Sequence, residues 1–261
     1  METPDLDICR ILAVKHGLPL QFIVKDFYLM DVLSQLAACQ NDIGNPVFKG
    51  GTALNKIYLG GMQRFSEDLD FDVETDSSNL RIVCKSMAEM LSGYKISEIR
   101  KVGATYQFEC GFSSLLGGSD HIRVDVAAKK IIAFAKPTPV QAVSPFCQKS
   151  VAGVLAYGLD DLVARKMAAL VGRDEGKDVY DIHLALPICK NMAGALLAML
   201  KSEGRIETPQ EFVSLALEKT RKLDVKKAGK ITNPFIPYPN RPKNWQEMKN
   251  DILMMLEALD V

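Results

Sequence analysis

The chain has 261 residues, enough to bury a sizeable core, and its 48% hydrophobic and 25% charged content is that of an ordinary globular protein. Its 32 basic and 32 acidic residues cancel, so net charge selects no partner, although the local distribution of charge does. Met1 to Asp7 lacks the basic flank and apolar core of a signal peptide. Charges interrupt every apolar run short of membrane-spanning length, so a cytoplasmic protein with no membrane partner is expected.

From Pro19 to Cys39, apolar residues such as Phe22, Ile23, Phe27, Met30, Leu33 and Leu36 recur at helical steps, which predicts a core-facing helix packed under a sheet. Val47-Phe48 reads as a short strand, Gly50-Gly51 as a sharp turn, and Thr52 as the cap of a helix running to about Leu59. Phe65 to Val73 then alternates, with Phe65, Leu69, Phe71 and Val73 on one face and Ser66, Asp68, Asp70 and Asp72 on the other. A helix is expected over Leu80 to Leu91, and strands near Lys95 to Arg100, Thr105 to Phe112 and His121 to Val126. The last of these puts Arg123 and Asp125 on one face.

Beyond about Pro145 the texture turns helical: Leu159 to Val171, Lys177 to Leu186, Met192 to Leu200, Pro209 to Lys222 and Trp245 to Leu259. The expected fold class is α+β, in two lobes: residues 1–145 forming a mixed-sheet core and 146–261 a mainly helical lobe, with the active site in the cleft between them. The Pro-rich stretch from Leu223 to Lys243 is too long for a simple turn and is either functional or mobile. Six scattered cysteines without any CxxC pair read as reduced thiols, and three histidines are too few for a histidine-rich metal centre.

Carboxylates at i and i+2 of a strand leave the same face with Cα atoms about 6.5–7 Å apart, so Asp68 and Asp70 can share a divalent ion. Asp125, on another strand, fits the place of a third metal ligand. Gly50 and Gly51 would let phosphate oxygens approach backbone N–H groups at a helix N-terminus. The same acid-rich strand also reads as a solvated edge. Lys166 falls inside the apolar stripe of its helix, so it is either a snorkelling side chain or a cation whose partner is a substrate phosphate. On the next helix Asp174, Asp178 and Asp181 share a side that either faces solvent or borders the cleft, where Asp181 would pair with Lys166 or Arg173.

The run Lys49-Gly50-Gly51-Thr52-Ala53-Leu54, followed by Arg64-Phe65-Ser66-Glu67-Asp68-Leu69-Asp70-Phe71, resembles the AbiEii toxin-like nucleotidyltransferases of the polymerase-beta superfamily. Asp161 to Lys166 resembles that family's D-x4-K motif, and Arg173 to Asp181 its R-D-x3-D-x2-D element. The resemblance implies metal roles for Asp68 and Asp70, with Mg²⁺ or Mn²⁺ as cofactor, and catalytic roles for Lys166 and Asp181. It implies nucleotide binding through Lys49, Gly50, Gly51, Thr52, Arg64, Ser66 and Lys166. The implied reaction moves a nucleoside monophosphate from a nucleoside triphosphate to an acceptor hydroxyl, the 3′ end of tRNA in characterised relatives. A toxin-antitoxin system, with an antitoxin protein as partner, is implied as well. A small-molecule or protein acceptor, or a nucleotide-binding regulatory module without turnover, are the alternatives the residues leave open. Finally, Lys219 to Lys243 holds eight bases against the single acid Asp224, interleaved with Phe235 and Tyr238 and followed by Trp245; this reads as an RNA surface or a solvated linker.

Overall fold

The computed structural model describes residues 3–261. Two helices, α1 (Leu6–His16) and α2 (Leu20–Ala38), lead into the strand β1 (Val47–Lys49), the helix α3 (Gly50–Tyr58) and the strand β2 (Asp68–Val73). Then come α4 (Leu80–Glu89), β3 (Lys95–Ile96), β4 (Arg100–Val102), β5 (Thr105–Ser113), β6 (Ser119–Ala128), β7 (Thr138–Ser144) and β8 (Lys149–Ala156). The remainder is helical: α5 (Leu159–Gly172), α6 (Gly176–Ala185), α7 (Met192–Ser202), α8 (Pro209–Arg221), α9 (Val225–Thr232) and α10 (Trp245–Glu257).

The strands form one mixed sheet in the order β3-β5-β6-β2-β1-β8-β7, with β4 paired to β5. β2 lies inside it, antiparallel to β1 and parallel to β6, so the acid-rich strand is no solvated edge. Its alternation holds: Leu69, Phe71 and Val73 enter the core, and Phe65 just before it is fully buried. α2 packs against β2, β6 and β8, as a core-facing apolar helix should. Among the described residues no helix is long and apolar enough to cross a membrane, and all six cysteines are free thiols.

The change of texture expected at Pro145 comes later. β8 pairs antiparallel with β7 and parallel with β1, so a boundary between residues 145 and 146 falls inside the β7–β8 hairpin. An irregularity between Val140 and Ala142 and a left-handed Gly153 (φ 76°) break the alternation that marks a strand in sequence. The Pro-rich stretch from Leu223 to Lys243, left open as functional or mobile, forms regular short elements. Asp224 caps α9 by accepting from the Lys226 and Lys227 backbone N–H groups at 3.0 Å, and short 3₁₀ turns at Asn233–Phe235 and Tyr238–Asn240 follow.

Candidate active site

The glycine turn is built around carboxylate and cation rather than around empty space. Gly50 adopts φ 77°, and a Cβ placed there would lie 2.2 Å from Asp70 Oδ2. A Cβ on Gly51 would meet Arg64 Nη2 at 2.7 Å, Lys166 Nζ at 3.3 Å and Ser66 Oγ at 3.5 Å. A side chain at either position would have to push these groups aside, and at Gly50 the left-handed φ adds strain; the turn thus brings β2, α5 and the Arg64–Ser66 segment to the N-terminus of α3. Thr52 does not cap that helix. It is buried in the first turn, where its hydroxyl bonds the Asp68 carbonyl and lies 2.8 Å from Ser66 Oγ, tying α3 to the start of β2.

Parallel pairing of β2 and β6 sets Asp70 beside Asp125 and Asp68 beside Arg123. Asp68, Asp70 and Asp125 line a cavity of about 580 Å³ together with Ser66, Arg64, Gly51 and Lys166. Burial pushes the Asp70 carboxyl up to about 6, against the pull of Lys49, and burial also raises Asp68 despite the nearby Arg123. Half-buried carboxylates on one strand face are hard oxygen donors, a chemistry that suits a divalent ion. As the side chains stand, no three His, Cys, Asp or Glu residues among those described are grouped to hold one. Asp125 accepts from Gln107 Nε2 at 2.7 Å and pairs with Arg123 Nε at 3.1 Å. Asp72, expected on the same acidic row, is buried and satisfied by Lys49 and by the Tyr157 hydroxyl at 2.9 Å. Lys49 and Asp72 border a second cavity of about 460 Å³, which shares Gly51, Asp70 and Lys166 with the first.

Lys166 is not a snorkelling side chain: it is buried, already paired with two carboxylates, and still borders the cavity. Only 6% exposed, its Nζ lies 3.0 Å from Asp178 Oδ1 and 3.0 Å from Asp181 Oδ2, both carboxylates being fully buried. Asp181 also takes two bonds from Arg64, at 2.9 Å to Nε and 2.6 Å to Nη2, and one from Asn55 Nδ2 at 3.1 Å. The Arg173 guanidinium grips Asp178 at 2.8 and 3.1 Å and not Asp181. Burial opposes the Asp178 charge, but Lys166 and Arg173 outweigh it and hold the carboxyl below its ordinary value. Asp174 is exposed and pairs with Lys219 at 2.9 Å. The side of α6 left open by the sequence is thus buried at Asp178 and Asp181, and Asp181 faces Arg64, Asn55 and Lys166 rather than the cavity.

Asp68, Asp70, Gly51 and Lys166, drawn from separate motifs, thus line one cavity. The family model described as nucleotidyl transferase AbiEii toxin, type IV toxin-antitoxin system, matches residues 31–260. The chain belongs to the AbiEii nucleotidyltransferase toxin family. It is accordingly a nucleotidyltransferase. Its fold is similar to that of the nucleotidyltransferase toxin MenT4 from Mycobacterium tuberculosis, at 17% identity and a TM-score of 0.68 over 98% of this chain and 91% of that one. It is also similar to JHP933 from Helicobacter pylori, at 15% identity and a TM-score of 0.59 over 92% of each chain. No curated protein matches the chain.

Several cations of this candidate site were not singled out from sequence. Lys25 of α2 reaches the cavity between Asp120 at 3.3 Å and Glu67 at 3.8 Å, and Lys177 of α6 lies 3.6 Å from Glu67 and 3.5 Å above the Phe235 ring. Burial, then the Arg64 charge, lowers the Lys177 pKa. Lys177 sits inside the Arg173–Asp181 motif, where its spacing gave a signal. Lys25 interrupts an apolar helix, a weaker one. The C-terminal aromatics take other roles: Phe235 stacks on Phe22 with centroids 5.2 Å apart, and Trp245 is buried with Nε1 donating to Asn233 at 3.0 Å. Of the three, only Tyr238 is exposed.

Proposed function

We propose that this chain transfers a nucleoside monophosphate from a nucleoside triphosphate to the 3′-hydroxyl of an RNA, with tRNA as the acceptor, and that Asp68 and Asp70 hold Mg²⁺ or Mn²⁺ for that reaction. The observation that carries the reading is the juxtaposition of Asp70 with the Gly50-Gly51 turn and Lys166 at one cavity. A divalent ion bound there would neutralise the triphosphate and favour ionisation of the attacking hydroxyl. The chain's own part is positioning. Backbone N–H groups at the start of α3 and the Lys166 ammonium face the same small volume, where a phosphate oxygen would find donors from two sides. Asp178 and Asp181 are positioning residues in this reading, since they fix Lys166 and Arg64 without lining the cavity. Thr52 likewise acts from beneath, holding Ser66 and Asp68 in place. We place the site between two lobes, with the helical one starting at α5 rather than at residue 146.

An RNA acceptor is supported by α9. Lys226, Lys227 and Lys230 are exposed and make no ion pair among the described residues. α9 borders a cavity of about 530 Å³ that shares Glu175 and Lys177 with the aspartate-floored one, so an acceptor strand lying on α9 would be led to the reacting atoms. A toxin role in the cytoplasm with a cognate antitoxin as partner goes with this reading. Incubating the protein with each labelled nucleoside triphosphate, Mg²⁺ or Mn²⁺ and total cellular RNA tests it. Label should enter a tRNA-sized species. Label only in protein, or nowhere, would contradict the RNA acceptor.

A further inference from the structure

One of the carboxylates proposed to hold the metal, Asp68, already carries a cation that also faces Asp125. Arg123 and Asp125 are two residues apart on β6 and leave the sheet on one face. Arg123 Nη2 donates to Asp68 Oδ2, and Arg123 Nε lies 3.1 Å from Asp125 Oδ2 in an ion pair whose geometry falls short of a hydrogen bond. The other Asp125 oxygen is taken by Gln107. Arg123 therefore holds one oxygen of Asp68 and faces the Asp125 oxygen that Gln107 does not take.

The other cations near these acids are held elsewhere. Lys49 is paired with Asp72, Lys166 with Asp178 and Asp181, and Lys25 with Glu67 and Asp120. Among the described residues, Arg123 alone directs its charge at two of the three candidate ligands. Its side chain is 42% exposed and lines the cavity, so it can swing towards solvent without uncovering the core.

We infer that Arg123 is a resident counter-cation which a divalent ion must displace, and that it thereby sets the ion concentration at which the site loads. The inference rests on the reading that Asp68 and Asp70 hold the ion. A guanidinium and a dication set against the same carboxylates repel each other, so what Arg123 gains from Asp68 and Asp125 counts against metal affinity.

The test measures Mn²⁺ binding without nucleotide, from the paramagnetic resonance signal of the free ion, for the wild type, Arg123→Gln, Arg123→Lys and Asp68→Asn. Two half-exposed ion pairs correspond to about tenfold in a binding constant, so Arg123→Gln should bind Mn²⁺ about tenfold more tightly than the wild type. Arg123→Lys keeps the charge and should stay near the wild type, and Asp68→Asn should bind more weakly. Unchanged or weaker binding by Arg123→Gln, with Asp68→Asn still weakened, would overturn the role of Arg123 alone. Equal binding by the wild type and Asp68→Asn would overturn the metal reading at Asp68 and the inference with it.

Discussion

Replacing Gly50 by alanine separates backbone strain from displacement of a reacting carboxylate. The residue has φ 77°, and holding a side chain in the left-handed region costs about 1–2 kcal/mol. The new Cβ would also lie 2.2 Å from Asp70 Oδ2 and 2.9 Å from its Cγ, so the carboxylate has to retreat. A retreat of about 1 Å at a reacting group is enough to lower turnover about a hundredfold. Gly60→Ala is the control, because Gly60 has φ 51° but nothing within 4 Å of its Cβ position. Both variants should melt lower by roughly 2–8 °C, the shift expected of 1–2 kcal/mol in a chain of this size. Only Gly50→Ala should lose nucleotide transfer per folded molecule, measured by label incorporation into RNA. Equal turnover by the two variants would show that Asp70 need not sit against the turn.

Lys166→Met leaves the buried Asp178 and Asp181 short of a cation, so it should cost about 3 kcal/mol in a denaturant titration, and Asp181→Asn in the same chain should recover part of that; an unchanged midpoint would mean the Lys166 charge is not tied to these acids. Asp178 is held below its ordinary value of 3.8, so its stabilisation is fully present above that pH and is lost as pH falls through the lowered folded-state value. Asp178→Asn should therefore flatten the acid limb of the stability curve, and an unaltered limb would count against the pairing. Neutralising Lys226, Lys227 and Lys230 together should weaken RNA binding and reduce the log-log salt slope by about 0.7 for each phosphate left without its cation, while nucleotide binding stays intact. Unchanged affinity and slope would move the acceptor to another surface.

Much of the scaffold was legible because its signals are local. The period-two alternation around Asp68 and Asp70, the period of 3.6 in α2 and α5, and the glycine pair at 50 and 51 each declare themselves within a few residues. β7 and β8 were missed because a register irregularity and a left-handed glycine disrupt their alternation. α9 was hidden by the prolines that follow it, since Pro and Lys in one stretch read as a linker. The site divides in the same way. Which residues carry charge was readable, and so was the pairing of Asp181 with Lys166, but the pairings of Lys166 with Asp178, Lys49 with Asp72 and Arg123 with Asp68 were not, since each is made by packing between separate elements.

Nucleotidyl transfer requires that the α-phosphoryl group move to the acceptor while pyrophosphate leaves. Nucleoside triphosphates labelled separately at the α and γ phosphorus should be offered with Mg²⁺ and RNA to the wild type and to Asp70→Asn. With the wild type, α label should enter RNA and γ label should appear in pyrophosphate, and with Asp70→Asn both should fall at least about a hundredfold, as expected when electrostatic stabilisation of the transition state is removed. Transfer of γ label to the acceptor, or undiminished transfer by Asp70→Asn, would contradict the proposed reaction and the place of Asp70 in it.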